Sequence, residues 1–351
     1  MCPFDRSLSQ PTGGHPARSR TILHRFRSRS SSPDSKVYFS PASITTFPVA
    51  LHPDESQVSQ GAETARDAWL RLLPNSDPRP HSSGPFGNFF ALCWPHGETS
   101  RVNLAAEIVE TLWLYDDIID DAPPSEAMQT HGQLRDSLKL DSTVAKSNLK
   151  TVVTGFFKEF GMRMSEVDAK GVPNVVNSLK DFLASHDNKK SGELPSIENF
   201  IESRVLDVGF WIMESYMLWT MGMQFSASEI EMCHEFRLSA GRVMALTNDL
   251  YSWNVERQNT VDPPWNVLPI IIDQYKLTER DAIIFTRGLI IQHEEETRRL
   301  GAEVLEYSDN SQKMQNYHHE DMATDRNAAE AVATRALRHT RFIQVEAKRP
   351  F

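Results

Sequence analysis

GRVMALTNDLYSWNVER, residues 241–257, carries Asn248, Ser252 and Glu256 at steps of four along the chain. On an α-helix such residues stack one turn above another and form a single stripe. Gly241, Met244 and Ala245 continue that stripe upstream and turn it toward a protein interior. An amide oxygen, a hydroxyl and a carboxylate are hard donors; they suit octahedral Mg²⁺ and neither zinc nor copper. Arg257 follows at once, a fixed charge whose fork matches phosphate oxygens. Any one of these residues could sit on an exposed polar seam. Asn, Asp, Ser and Glu at set positions in an inward stripe make that alternative weak.

A second acidic set lies about 130 residues upstream, in EIVETLWLYDDIIDD, residues 107–121. At about 100° per residue, Asp116 falls about 40° from Leu112 and about 20° from Val109. It therefore extends the apolar stripe of Ala105 and Ile108, with Asp120 one turn further on and Asp117 beside them. Ionised groups on an inward stripe are costly unless paired or bound to metal. A hard divalent cation relieves the repulsion between clustered carboxylates. The alternative is a solvated helix end before Pro123-Pro124, which the negative end of the helix dipole disfavours.

Asp116-Asp117-x-x-Asp120 and Asn248-Asp249-x-x-Ser252-x-x-x-Glu256 resemble the two metal motifs of class I terpene synthases. The surrounding sequence is most similar to the cyclase domains of the fungal chimeric prenyltransferase–cyclases, which make diterpenes and sesterterpenes. The likeness runs from Thr46-Phe47-Pro48 through Gly87-Asn88-Phe89 to Asn266-Val267-Leu268-Pro269, most of residues 45–300. It implies an all-α fold, a single class I helical bundle around an apolar pocket. It implies a Mg²⁺-dependent cyclase in which three metal ions grip the diphosphate of a linear prenyl diphosphate, C20 or C25 being favoured. The diphosphate leaves, an allylic cation remains, and a cyclic hydrocarbon or alcohol is released. The metal ligands implied are Asp116, Asp117, Asp120, Asn248, Ser252 and Glu256.

Between the motifs stands Arg204-Val205-Leu206-Asp207-Val208-Gly209. The resemblance makes Arg204 the sensor of the diphosphate, Asp207 its link, and Val208 the donor of a backbone carbonyl at a helix break. Gly209 eases such a break. Taken alone, Arg204 and Asp207 are an ordinary i, i+3 pair. Arg204 and Arg257 would neutralise charge building on the leaving oxygen. Phe89, Phe90, Trp113, Phe210 and Trp211 are candidates for an aromatic wall around the cation, worth about 0.5–2 kcal/mol each. Each is equally open to plain core packing. The resemblance calls for no strong general base, since released diphosphate can take the final proton.

Composition sets the outer limits. The 351 residues are 40% hydrophobic and carry a formal charge of −10, which argues against general nucleic-acid binding. No run of 18 uncharged apolar residues is present, so no membrane span is expected. Three separated cysteines exclude a disulfide scaffold. A cytoplasmic enzyme is expected, with a separate prenyltransferase as a possible supplier of its substrate. Residues 1–36 hold six Arg and one Lys against two Asp, with eight Ser. They read as a disordered basic tail, or else as an organelle-targeting segment. Residues 37–317 read as the cyclase domain, with helices expected over 102–121, 146–164, 171–185, 197–223 and 228–257, and residues 318–351 as an atypical tail. The fungal cyclases end in a helix with Asn and Trp followed by an Arg-Tyr clamp. Tyr317 falls where that helix should begin, but no Tyr follows Arg338, Arg341 or Arg349. Two further functions therefore stay open. One is a chain-elongating prenyltransferase, disfavoured because the second motif is Asn/Ser/Glu instead of Asp-rich. The other is a catalytically impaired protein that binds prenyl diphosphate.

Overall fold

A computed structural model describes most of residues 44–322. Residues 1–43, most of 121–148, 188–194, 259–264 and 323–351 lie outside the described residues, as do a few single positions. The basic tail and the Arg338–Arg349 region thus fall outside it. All described residues belong to one compact unit, Asp34–Phe351.

The expected helices are present. Helix α1 spans Glu55–Leu72. A two-residue hairpin (β1, Ser83–Gly84; β2, Gly87–Asn88) pairs antiparallel and leads into α2, Phe89–Cys93. Then follow α3 (Thr99–Asp120), α4 (Leu149–Asp168) and α5 (Val172–Asp187). The stretch 197–223 is two helices, α6 (Ile197–Asp207) and α7 (Phe210–Thr220). The longest is α8 (Ala227–Glu256), succeeded by α9 (Val267–Tyr275) and α10 (Glu279–Tyr307). A last helix, α11, covers 312–322. It runs straight through the position 317/318 at which the sequence reading ends the cyclase domain.

Local chemistry fixes several starts. The Asn88 side chain accepts from the N–H groups of Phe90 and Ala91, opening α2 directly out of the hairpin. Ser196, Asn266 and Thr278 cap α6, α9 and α10 in the same way. Helix α1 buries Val58, Gly61, Ala62, Ala65 and Trp69, one helical face, against α3. Gly61 permits the close approach: a Cβ there would stand 2.1 Å from the Asn103 carbonyl oxygen.

The core has two parts, and α8 serves both. Cys233, Phe236, Ala240 and Met244 enter a large cluster with α1, α2, α3, α5 and α7. Val243, Leu246, Leu250 and Trp253 enter a second with Phe47, α6, α9 and α10. Several buried carboxylates inside the bundle meet their own donors. Glu107 receives a fork from Arg163, Glu214 one from Arg237, and Tyr317 on α11 donates to Glu214 at 2.6 Å. Isolated buried carboxylates would be costly; these are all bonded.

Helix α11 is also tied to the α2–α3 loop. Glu320, fully buried, accepts from the backbone N–H of His96 at 3.2 Å and bonds the His96 ring. The Glu320 hydrogen bond raises the His96 pKa above its ordinary 6.5. A raised base stabilises the fold fully below its unfolded value, and the contribution is lost as pH climbs through the folded one. Melting temperature should therefore decline on that side of pH 6.5 through this pair. His96→Ala should flatten that component in thermal melts from about pH 5 to about pH 8. A slope unchanged in the variant would assign it to other groups.

Candidate functional site

The site is assembled where α6, α8 and α9 meet. Asp249 lies on α8 with no exposed surface, so its charge needs partners inside the protein. Its Oδ1 accepts from Arg204 Nε at 2.8 Å, and its Oδ2 from the Val267 N–H at 2.7 Å. Burial pushes its carboxyl up to about 6, against the pull of Arg204. Burial also works against the Arg204 charge, but Asp249 and Asp207 outweigh it and hold the guanidinium pKa above its usual value. Arg204 Nη1 donates to Asp207 Oδ2 at 2.5 Å and Nη2 to Asn248 Oδ1 at 2.9 Å. One guanidinium thus joins the expected sensor and link to the first residue of the α8 stripe.

The other end of the stripe is fixed from the same place. Asn266 Nδ2 donates to the Asp249 carbonyl at 2.8 Å and to Glu256 Oε2 at 2.9 Å. Ser252 Oγ lies between, 3.4 Å from the Asp249 carbonyl oxygen. Gly241, Met244 and Ala245 are buried, while Asn248, Ser252 and Glu256 are half-buried, so the stripe leaves the core as it descends the helix. Arg257 stands just past α8 and donates to Glu279 at 2.6 Å, both side chains over 40% exposed.

The chain breaks between α6 and α7 as expected. Val208 is the C-cap of α6 and Gly209 adopts φ 82°, a left-handed conformation that glycine takes without penalty. A Cβ on Gly209 would meet Phe182 only at 3.6 Å, an ordinary contact, so the backbone and not space requires glycine. Beside the break lies a hollow of about 440 Å³ lined by Asp181, Ala184, Ser185, Leu206 and Trp211.

On α3, Asp116 and Asp117 are half-buried, and Asp117 Oδ2 lies 2.8 Å from His81 Nε2. The Asp120 side chain lies outside the described residues. The aromatic candidates divide. Phe89, Phe90 and Trp113 pack on one another with ring centroids 5.0–5.3 Å apart, continuing through Trp94 to Tyr216. Phe90 and Phe210 are sealed in the core, whereas Trp211, edge-on to Phe210, lines the hollow. Sequence reasoning did not single out Asp249, Asn266, Glu110 or His81. Asp249 does lie within the motif, and Glu110, Trp113 and Asp117 share a helical face that was available as a signal.

The donors on the stripe and on α3 are all oxygens, and none is a thiolate or imidazole nitrogen, a set that fits Mg²⁺. Among the described residues, which do not include the Asp120 side chain, no three His, Cys, Asp or Glu side chains converge.

The family model described as terpene synthase family 2, C-terminal metal binding, matches residues 107–296, more than half of the chain. The chain belongs to the terpene synthase family. Among curated relatives, this terpene synthase is 23% identical over 287 residues to a sesterterpene synthase of Colletotrichum orbiculare, covering 77% of the chain and 40% of that protein. It is 27% identical over 226 residues to conidiogenone synthase of Penicillium roqueforti, covering 60% of the chain and 30% of that protein. The chain thus spans less than half the length of these relatives. Its fold is that of aristolochene synthase from Penicillium roqueforti (TM-score 0.67, 16% identity, 82% of this chain and 97% of that one) and of cucumene synthase (TM-score 0.67, 13% identity, 81% and 97%). No described helix of the terpene synthase is long and apolar enough to cross a membrane.

Two substitutions test the junction by urea denaturation. Asp249→Ala leaves Arg204 Nε and the Val267 N–H without their acceptor and should destabilise by about 2–4 kcal/mol. Gly209→Ala forces a left-handed alanine and should cost about 1–2 kcal/mol. Losses below about 0.5 kcal/mol in both, the range of an ordinary surface change, would show the junction to be incidental.

Proposed function

We propose that this terpene synthase is a Mg²⁺-dependent cyclase that ionises a linear prenyl diphosphate, of C20 or C25 length, and releases a cyclic terpene with diphosphate. The observation that carries the reading is the Arg204 junction: one buried guanidinium bonded to Asp207 at the helix break and to Asn248 at the head of the oxygen stripe. Curated relatives named as sesterterpene and diterpene synthases support the chain-length preference. Two further relatives are named bifunctional, and the chain spans 33% and 34% of them.

Asp116, Asp117, Asn248, Ser252 and Glu256 would hold the metal, with Asp120 by its place in the motif. Bound there, Mg²⁺ supplies positive charge to a departing diphosphate. The chain's own residues do the rest. Arg204 is prepositioned by three bonds, so reorganisation during charge separation is small. Its link Asp207 ends α6, where a helix terminus presents carbonyl groups without intrahelical partners. The Val208 carbonyl at that end carries partial negative charge suited to a nascent cation. Trp211, just past the break on α7, would offer an aromatic surface to such a cation.

Incubation with Mg²⁺ and C15, C20 or C25 diphosphate, read by mass spectrometry, should give cyclic hydrocarbon without added C5 diphosphate. Longer diphosphate formed only with a C5 unit would identify a chain-elongating transferase instead. Asp116→Ala and Asn248→Ala should each reduce turnover by about 100-fold or more, the scale of a lost transition-state electrostatic contact, with helical circular dichroism unchanged. Wild-type rates in both would refute the metal assignment.

A further inference from the structure

The corner at His81–Ser82 is fastened to α3 at positions i, i+3 and i+7 of one face. Glu110, fully buried, accepts from the backbone N–H groups of His81 (3.0 Å) and Ser82 (3.1 Å), and from Arg66 of α1 at 3.1 Å. The Trp113 ring lies 5.9 Å from the His81 ring. Asp117 Oδ2 receives His81 Nε2 at 2.8 Å; an ionised carboxylate only accepts, so the imidazole donates. The His81 side chain is 4% exposed and that of Asp117 37%. The donor is locked in the packing while the acid looks outward.

We propose that His81 is a positioning residue for the acids of α3, holding the Asp117 carboxylate in one orientation beside Asp116 through a relay that starts at Arg66. The inference rests on the cyclase reading above. A carboxylate on a two-torsion side chain samples several rotamers, and a neighbouring carboxylate repels it. An N–H fixed by packing selects one rotamer and shares the negative charge of one oxygen. Partners of this kind around metal ligands are worth about 10–100-fold in metal affinity.

The test is Mn²⁺ binding, followed by electron paramagnetic resonance in the presence of inorganic diphosphate, alongside thermal melts. His81→Phe keeps a ring against Trp113 and removes only the donor. His81→Gln returns an N–H at comparable reach. Affinity should fall about tenfold or more in the Phe variant and recover largely in the Gln variant, with similar melting temperatures for the two. Should the Phe variant not fold, His81→Asn, whose shorter donor stops short of Asp117, replaces it. Equal Mn²⁺ affinities for wild type and the donor-less variant overturn the role of His81, provided Asp116→Ala abolishes binding. A wild-type protein that binds no Mn²⁺ overturns the metal reading instead.

Discussion

A carboxylate with no access to water stands two turns from the end of α8, and the site depends on how that charge is answered. Asp249 is satisfied by one guanidinium from α6 and one backbone N–H from α9. Breaking either contact leaves a buried ion or a buried donor without compensation, a penalty of several kcal/mol. The three helices are therefore held in one mutual arrangement by polar necessity as well as by apolar contact. Because Arg204 also reaches Asn248, and Asn266 reaches both the Asp249 carbonyl and Glu256, the two ends of the oxygen stripe inherit the same constraint. Such rigidity suits a polydentate oxygen site, which tolerates only small errors in ligand position.

The second constraint is the interruption at Val208-Gly209. Continuous helix would keep the carbonyls of this segment inside the backbone ladder. The left-handed glycine ends α6 early, and α7 restarts at once with Phe210 packed into the core. Arg204 sits in the last turn of α6, where positive charge also complements the helix dipole. The break and the guanidinium thus belong to one local design, in which the same turn supplies a cation and exposes partial negative charge.

Much of this could be read beforehand, and the limits have physical causes. The stripe at Asn248, Ser252 and Glu256 was legible because helical period is a local property. So was the Arg204–Asp207 pair, three residues apart, and the break at Gly209. The partners of Asp249 were not, because they lie 45 and 18 residues away. The packing of α11 was not legible for a related reason: Glu320 is polar in sequence, yet it is buried and bonded to His96, 224 residues distant. The aromatic residues share one ambiguity. Period places Phe90 and Phe210 inward, yet whether inward means core or cavity depends on which neighbours fill the space, and here both are packed in the core.

The charges at the site lead to one last step. The chain is acidic overall, and the local tally near the junction is acidic too. Arg204 is already bonded to two carboxylates, Asp207 and Asp249, with Glu256 acting on the same group. Arg257 is bonded to Glu279. On the proposed reading Asp116 and Asp117 would add negative charge from α3. Bringing a diphosphate into such a field without further cations would oppose like charges at short range, and the two arginines are too few to reverse the sign. An acid-rich junction of this kind is poorly arranged for an anion alone and would better receive an anion that arrives with divalent cations. The charge balance thus favours the proposed metal-borne substrate on grounds independent of ligand spacing along α8.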